Sequence, residues 1–197
     1  MGLKIKLVLL TILLSSLGFG QKKSSFEKDI DFDGVIDTVY VDRNKSKIIC
    51  VLSSMKFSKI ESKEVHMQVM SGISDAKNGF NFENNYMRAG YSNQFRYDPK
   101  TEKIRLIGIK FYEFCNTNSN DACGDASGNF LTGNFIGEWI YFEERDDKYI
   151  KIPMVKVKVS FKNISLEDFN EDTYFDFGST TYEISCEARD KMLAKRK

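Results

Sequence analysis

The sequence predicts an all-β protein, an antiparallel sandwich or barrel-like sheet with long loops and a short C-terminal helix. Three observations point there. Apolar and polar residues alternate with period two in segment after segment, as strands with one buried face require. Turn-forming clusters separate these segments at short intervals. The chain is also aromatic-rich, with 16 Phe and 9 Tyr against only 2 Pro, a composition suited to pleated, half-buried surfaces. Many short strands joined by turns imply packed sheets or a barrel.

The first twenty residues stand outside this pattern. Met1 to Lys6 is a short basic start, Leu7 to Leu14 is an apolar run, and Ser15 to Gly20 supplies small residues before Gln21. This is the layout of a signal peptide over residues 1–20. The apolar run is short for a membrane span, so no stable membrane insertion is expected after cleavage. No cysteine sits at the cleavage point to carry a lipid. The expected location is secreted or periplasmic. Gln21 to Lys28 reads as a mobile polar leader, and residues 29–197 as a single β-rich domain.

Within that domain, Thr38–Arg43 and Lys47–Leu52 flank Asn44-Lys45-Ser46 as a hairpin. Glu64–Met70 reads as a strand with Val65, Met67 and Val69 on one face and His66 and Gln68 on the other. Ser71–Ser92, rich in Gly, Asn and Ser, reads as a long excursion and a candidate binding surface. Asn93–Tyr97 and Lys103–Tyr112 enclose Asp98-Pro99-Lys100-Thr101-Glu102, where proline after aspartate sets a turn. Leu131–Asn134 reverses the chain into Ile136–Phe142, and Glu143–Lys148 makes another reversal. Met154–Phe161 alternates, with Val155, Val157, Val159 and Phe161 inward and Lys156 and Lys158 outward. Helical signal is confined to Cys186–Lys197, with a turn near Ser165–Asp168. The basic residues at the end of that tail read as a frayed helix end.

Charge excludes one class of partner. The chain has 29 basic and 28 acidic residues, and loss of Lys4 and Lys6 with the leader makes the balance slightly acidic. Neither nucleic acid nor an anionic surface is attracted at long range by such a chain. Cys50, Cys115, Cys123 and Cys186 form an even set, which favours disulfides in an exported protein. Cys115 and Cys123 bracket a polar loop and are expected to pair. Cys50 then pairs with Cys186, tying an early strand to the C-terminal segment; free buried thiols are the alternative.

The stretch Asp29-Ile30-Asp31-Phe32-Asp33-Gly34-Val35-Ile36-Asp37 carries the clearest chemistry. Carboxylates at relative positions 1, 3, 5 and 9, with glycine at 6, have calcium-loop spacing: hard oxygen ligands around a hard cation, and a glycine for the sharp reversal. The expected ligands are Asp29, Asp31, Asp33, the Val35 carbonyl and Asp37, and the expected ion is Ca2+ before Mg2+. Tyr40 stands where an EF-hand has its bidentate glutamate. The other reading is an Asp/Gly turn with solvated carboxylates. Asp168, Asn170, Asp172 and Asp176 repeat the spacing as a possible second metal loop, but Thr173 replaces the glycine there.

Running directly into a strand, residues 29–41 resemble the D-x-[DN]-x-D-G-x-x-D signature of FG-GAP/VCBS-type extracellular proteins, including bacterial periplasmic lysozyme-inhibitor-like proteins. That resemblance implies calcium-supported structure and binding rather than catalysis. An inhibitor role would need an inserted Ser/Gly/Tyr-type loop, of which Ser127-Gly128-Asn129-Phe130 is the nearest match, without the tyrosine.

Enzyme signatures are sparse. His66 is the sole histidine, which excludes multi-histidine zinc sites, and no nucleophile elbow or phosphate-cradling loop occurs. Paired carboxylates remain, Glu138 with Glu143 or Glu113, as in a glycosidase. Phe80, Phe82, Tyr86, Tyr91, Phe95 and Tyr97, beside Arg88 and Arg96, read either as a binding face or, preferably, as core. The expected function is an exported calcium-binding β-protein acting as a binding or inhibitor module on a protein or carbohydrate at the cell envelope. The alternative is an exported carboxylate-dependent hydrolase.

Overall fold

The computed structural model describes residues 25–115, 122–144 and 147–195. The expected signal peptide lies outside the described residues, as do residues 21–24 of the expected leader.

Two antiparallel sheets make up most of the molecule. The smaller contains β1 (Phe26–Lys28), β2 (Asp37–Asp42), β3 (Lys47–Leu52) and β4 (Ser58–Glu61), side by side in chain order. The leader residues Phe26–Lys28 are therefore a strand, paired with Val39 to Asp37. The larger sheet runs through β5 (Gly72–Ala76), β6 (Gly79–Asn85), β7 (Ala89–Asp98), β8 (Lys103–Glu113), β9 (Cys123–Asn129), β10 (Asn134–Glu143) and β11 (Lys148–Lys151), again in chain order. β12 (Val155–Lys158) pairs with the first half of β10, and β11 pairs with its second half. Pro153 falls in the break between them, where a missing N–H costs no ladder bond. A short 3-10 turn (Leu166–Asp168) leads into α1 (Glu171–Ala194).

The excursion expected over Ser71–Ser92 is instead β5, β6 and the start of β7. Its Gly, Asn and Ser residues lie in true strands because every second position carries the load. Phe80, Phe82 and Asn84 point inward, all fully buried, while Asn81 and Glu83 point out. Conversely, Glu64–Met70 is not a strand. It is the crossing between sheets, anchored where Val65 N–H donates to the Ser46 carbonyl at 2.8 Å. Arg43 holds the crossing's far end through the Gln68 carbonyl at 2.7 Å and the Val69 carbonyl at 2.9 Å. Val65 is buried as expected, but Val69 is exposed.

The β7–β8 hairpin forms as predicted, closed where Thr101 N–H donates to the Asp98 carbonyl at 3.2 Å. A bulge shifts its register: Gln94 faces Gly108 but Phe95 faces Leu106. The extra residue, Ile107, lends its carbonyl to Phe130 N–H at 3.0 Å. In the Met154–Phe161 segment the strand covers only Val155–Lys158, and Val157 is exposed rather than inward.

One face of the large sheet is covered by α1 and the segment before it. Tyr174 stacks on Tyr91 with ring centroids 4.1 Å apart, and Phe177 lies 6.0 Å from Phe135 and 6.2 Å from Phe161. Gly128 permits this approach, since a Cβ there would sit 2.7 Å from Phe161 and 2.8 Å from Phe177. Phe80, Phe82, Phe95, Phe135 and Phe169 are wholly buried, in one cluster with Ile30, Val39, Ile48 and Leu52 of the small sheet's segments. The aromatic group named above is therefore mainly core. Among the described residues no helix is long and apolar enough to cross a membrane.

Candidate metal centre

The acidic stretch is a tight bend joining β1 to β2, and its carboxylates first serve its own backbone. Asp29 Oδ2 accepts Gly34 N–H at 3.0 Å, Asp31 Oδ1 accepts Asp33 N–H at 3.2 Å, and Asp33 Oδ1 accepts Val35 N–H at 2.8 Å. Aspartate favours turns because it can make such short-range bonds. Gly34 has φ +89°, the left-handed conformation in which glycine has no Cβ to clash.

Asp37, only 1% exposed, is the anchor. Its Oδ2 accepts Ile30 N–H at 2.8 Å across the bend, and its Oδ1 accepts Ser53 N–H at 2.7 Å from the β3–β4 turn. Ser53 Oγ donates to Asp33 Oδ2 at 2.9 Å, and Ser54 Oγ donates to Asp31 Oδ2. The small-sheet register explains the meeting: Thr38 faces Val51, so the residues before β2 lie beside those after β3.

Asp29, Asp31 and Asp37 each present a carboxylate oxygen within 4.8 Å of the others. Asp29 Oδ1 is buried and has no hydrogen-bond partner. A buried carboxylate oxygen without a donor is costly, and a cation removes that cost. The set therefore fits a metal ion. Asp33 is not in the group; it is exposed and turned to Val35 N–H and Ser53. Cys50 lies behind the site in β3, paired with Val39. Burial pushes its thiol far above the ordinary range, with the charges of Asp37 and Asp31 adding to the effect.

The second acidic stretch is not a loop. Asp168 ends the 3-10 turn and accepts Ser165 Oγ at 2.7 Å. Asn170 precedes α1 and donates to Asp172 at 3.1 Å, while Asp176 on the helix accepts Lys162 Nζ at 2.7 Å. Asp172, in the first turn of the helix, complements its dipole. Asp168, Asp172 and Asp176 are not among the carboxylates gathered within reach of one cation in the described structure.

Cys115 and Cys123 are bonded, with Cα atoms 5.1 Å apart. Cys50 and Cys186 are not, contrary to the expected pairing. Cys50 belongs to the core beneath the small sheet, whereas α1, which carries Cys186, docks on the large one.

Of the acids considered for hydrolysis, Glu113 and Glu138 line one cavity of about 320 Å³ together with Asp125. Asp125 and Glu138 are directly opposite across β9 and β10. Glu138 also meets Lys151 Nζ at 3.7 Å; Glu143 is not part of this cavity's lining. His66 is exposed, its Nε2 2.8 Å from Gln68 Nε2 and its ring 6.5 Å from that of Tyr86. Ser127, Gly128 and Asn129 are inside β9 rather than on a projecting loop.

Ser53 and Ser54 carry no signal in the sequence, and only the Ser71–Ser92 part of the large sheet's outer face was expected as a binding surface. There Asn81, Ser92, Gln94, Lys110, Asn129 and Asn134 line a shallow depression of about 430 Å³. The signal for the face was the polar half of each alternation. No known protein family matches the chain, and neither a curated protein nor a solved structure does.

Proposed function

We propose that the chain is an exported calcium-binding β-protein that acts as a binding or inhibitor module on a protein or carbohydrate at the cell envelope. The observation that carries this reading is the gathering of Asp29, Asp31 and Asp37, of which Asp29 holds a buried oxygen with no hydrogen-bond partner. Their oxygens lie within 4.8 Å of one another, near enough for one cation to touch all three, and an oxygen-only ligand set on a bend suits calcium before magnesium. The resemblance of residues 29–41 to FG-GAP/VCBS loops points the same way. The amide- and hydroxyl-lined face of the large sheet suits a polar partner such as a glycan, since such groups both donate and accept.

Calorimetry with calcium and magnesium chlorides tests the ion. The wild-type protein should bind calcium more tightly than magnesium, and Asp31→Asn, which keeps an acceptor for Asp33 N–H, should bind calcium at least about tenfold more weakly. Equal heats from the two proteins would remove the ion from the reading. Capture from cell-envelope material with the calcium-loaded chain then identifies the partner.

A second reading has an observation of its own. Glu113, Asp125 and Glu138 share a cavity, and opposed positions on an antiparallel pair hold Cβ atoms about 5 Å apart. Side chains from such positions can bring two carboxyl groups to the roughly 5–10 Å separation a glycosidase pair uses. Release of reducing ends from envelope polysaccharide, abolished in Glu138→Gln, would favour hydrolysis over binding.

A further inference from the structure

The acidic bend and the β3–β4 turn lie side by side at one end of the small sheet, joined by the bonds from Ser53 to Asp33 and from Ser54 to Asp31. Many of their outward side chains are apolar, interspersed with the polar Asp33, Ser54 and Lys56. Phe32, Val35 and Ile36 from the bend and Met55 and Phe57 from the turn are exposed, the phenylalanines by 59% and 61%. Single exposed apolar residues are ordinary, but a concentration on two bonded turns marks an interaction surface. The backbone also works against its own preference here. Phe32, Lys56 and Phe57 have φ of 66°, 55° and 57°, a region that bulky residues avoid unless the surroundings impose it.

We infer that this tip docks peripherally on an anionic phospholipid bilayer, and that the cation of the acidic bend switches the docking on. The inference rests on the ion-binding reading above. Shape favours a bilayer, because the apolar side chains project from two turns instead of lining a groove. The tip sequence Met55-Lys56-Phe57 sets a lysine between apolar neighbours, the arrangement in which the stem lies in the interface and the ammonium reaches phosphate. Charge supplies the switch. Asp29, Asp31, Asp33 and Asp37 outnumber Lys56 and Lys59 at this end, leaving a formal excess of two negative charges that repels anionic headgroups. One divalent cation cancels that excess, and coordination positions not filled by carboxylates accept lipid phosphate oxygens.

The test is co-sedimentation of the full chain with mixed phosphatidylcholine and phosphatidylserine vesicles, in calcium and in chelator. It is run beside Phe32→Asn/Phe57→Asn, since asparagine tolerates the left-handed conformation and preserves the turns. Both proteins carry the same N-terminus, so any contribution of the apolar leader cancels. The wild-type protein should sediment in calcium and stay in solution in chelator. The variant should partition at least about tenfold more weakly while its calcium heat in calorimetry is unchanged. Equal sedimentation of the two would overturn the inference. Absence of sedimentation with a normal calcium heat would also overturn it, leaving the ion-binding reading intact. Sedimentation that ignores chelator, with no calcium heat, would sink the switch and the ion together. Calcium-induced dimers in light scattering, lost in the variant, would assign the tip to a second copy of the chain instead of lipid.

Discussion

At the scale of single residues, carboxylates do two kinds of work. Asp37 is structural first: buried and bonded to two backbone N–H groups from different segments, it holds the bend to the β3–β4 turn. Asp37→Ala should lower unfolding stability by about 2 kcal/mol even in chelator, because one buried and one part-buried donor lose their acceptor; the urea midpoint reads this. Asp98 is different. Its bond from Arg105 Nη1 at 2.9 Å holds its carboxyl below the usual range, with the Lys100 N–H contributing. A depressed native pKa means that the unfolded chain binds the proton more readily. The stabilisation is therefore complete above about pH 4 and fades as pH falls through the lowered native value. Asp98→Asn should weaken the protein at neutral pH and narrow its gap to wild type at the acid end, as urea midpoints across that window will read. At this scale the bend was legible, because aspartate at alternate positions with glycine has few other uses. The serines completing it were not. Nothing about Ser53 or Ser54 marks them until strand register brings their turn beside the bend.

At the scale of elements, strands were read where hydrophobic alternation was clean and missed where asparagine and serine supplied the inward positions. Asn84 and Asn93 are fully buried in β6 and β7, and the Asn93 amide nitrogen donates to the Phe82 carbonyl at 3.0 Å and to Tyr174 Oη at 2.9 Å. An alternation written partly in amides does not register as apolar. The same reason hid the part of α1 before Cys186, more than half of its 24 residues. Its buried stripe runs through Thr173, Tyr174, Phe177, Thr181 and Ser185, spaced as a helix requires but built partly of residues with poor helix propensity. Packing decides there, not propensity. Gly128→Ala tests the packing: the added methyl meets two rings, so overpacking should cost about 1–3 kcal/mol in urea unfolding.

For the whole molecule, the all-β class followed from patterning alone, whereas the division into two sheets did not. The crossing Ser62–Ser71 shows why, since its alternation mimics a strand while its backbone bonds tie it to both sheets. Covalent organisation gives a direct check. Without reductant, alkylation and mass spectrometry should find Cys115 and Cys123 blocked and Cys50 and Cys186 reactive. In the native state Cys186 alone should react, since Cys50 is buried with its thiolate disfavoured. Four reactive thiols, or none, would contradict the structure.

The meander order of both sheets has a consequence for how the chain assembles. Each strand of the main path finds its partner in its immediate sequence neighbour, so every pairing closes only a short loop and loses little chain entropy. A polypeptide released N-terminus first can thus zip up hairpin by hairpin without waiting for distant segments. The long-range step falls to α1, whose aromatic side seals the sheet only after synthesis has reached the far end.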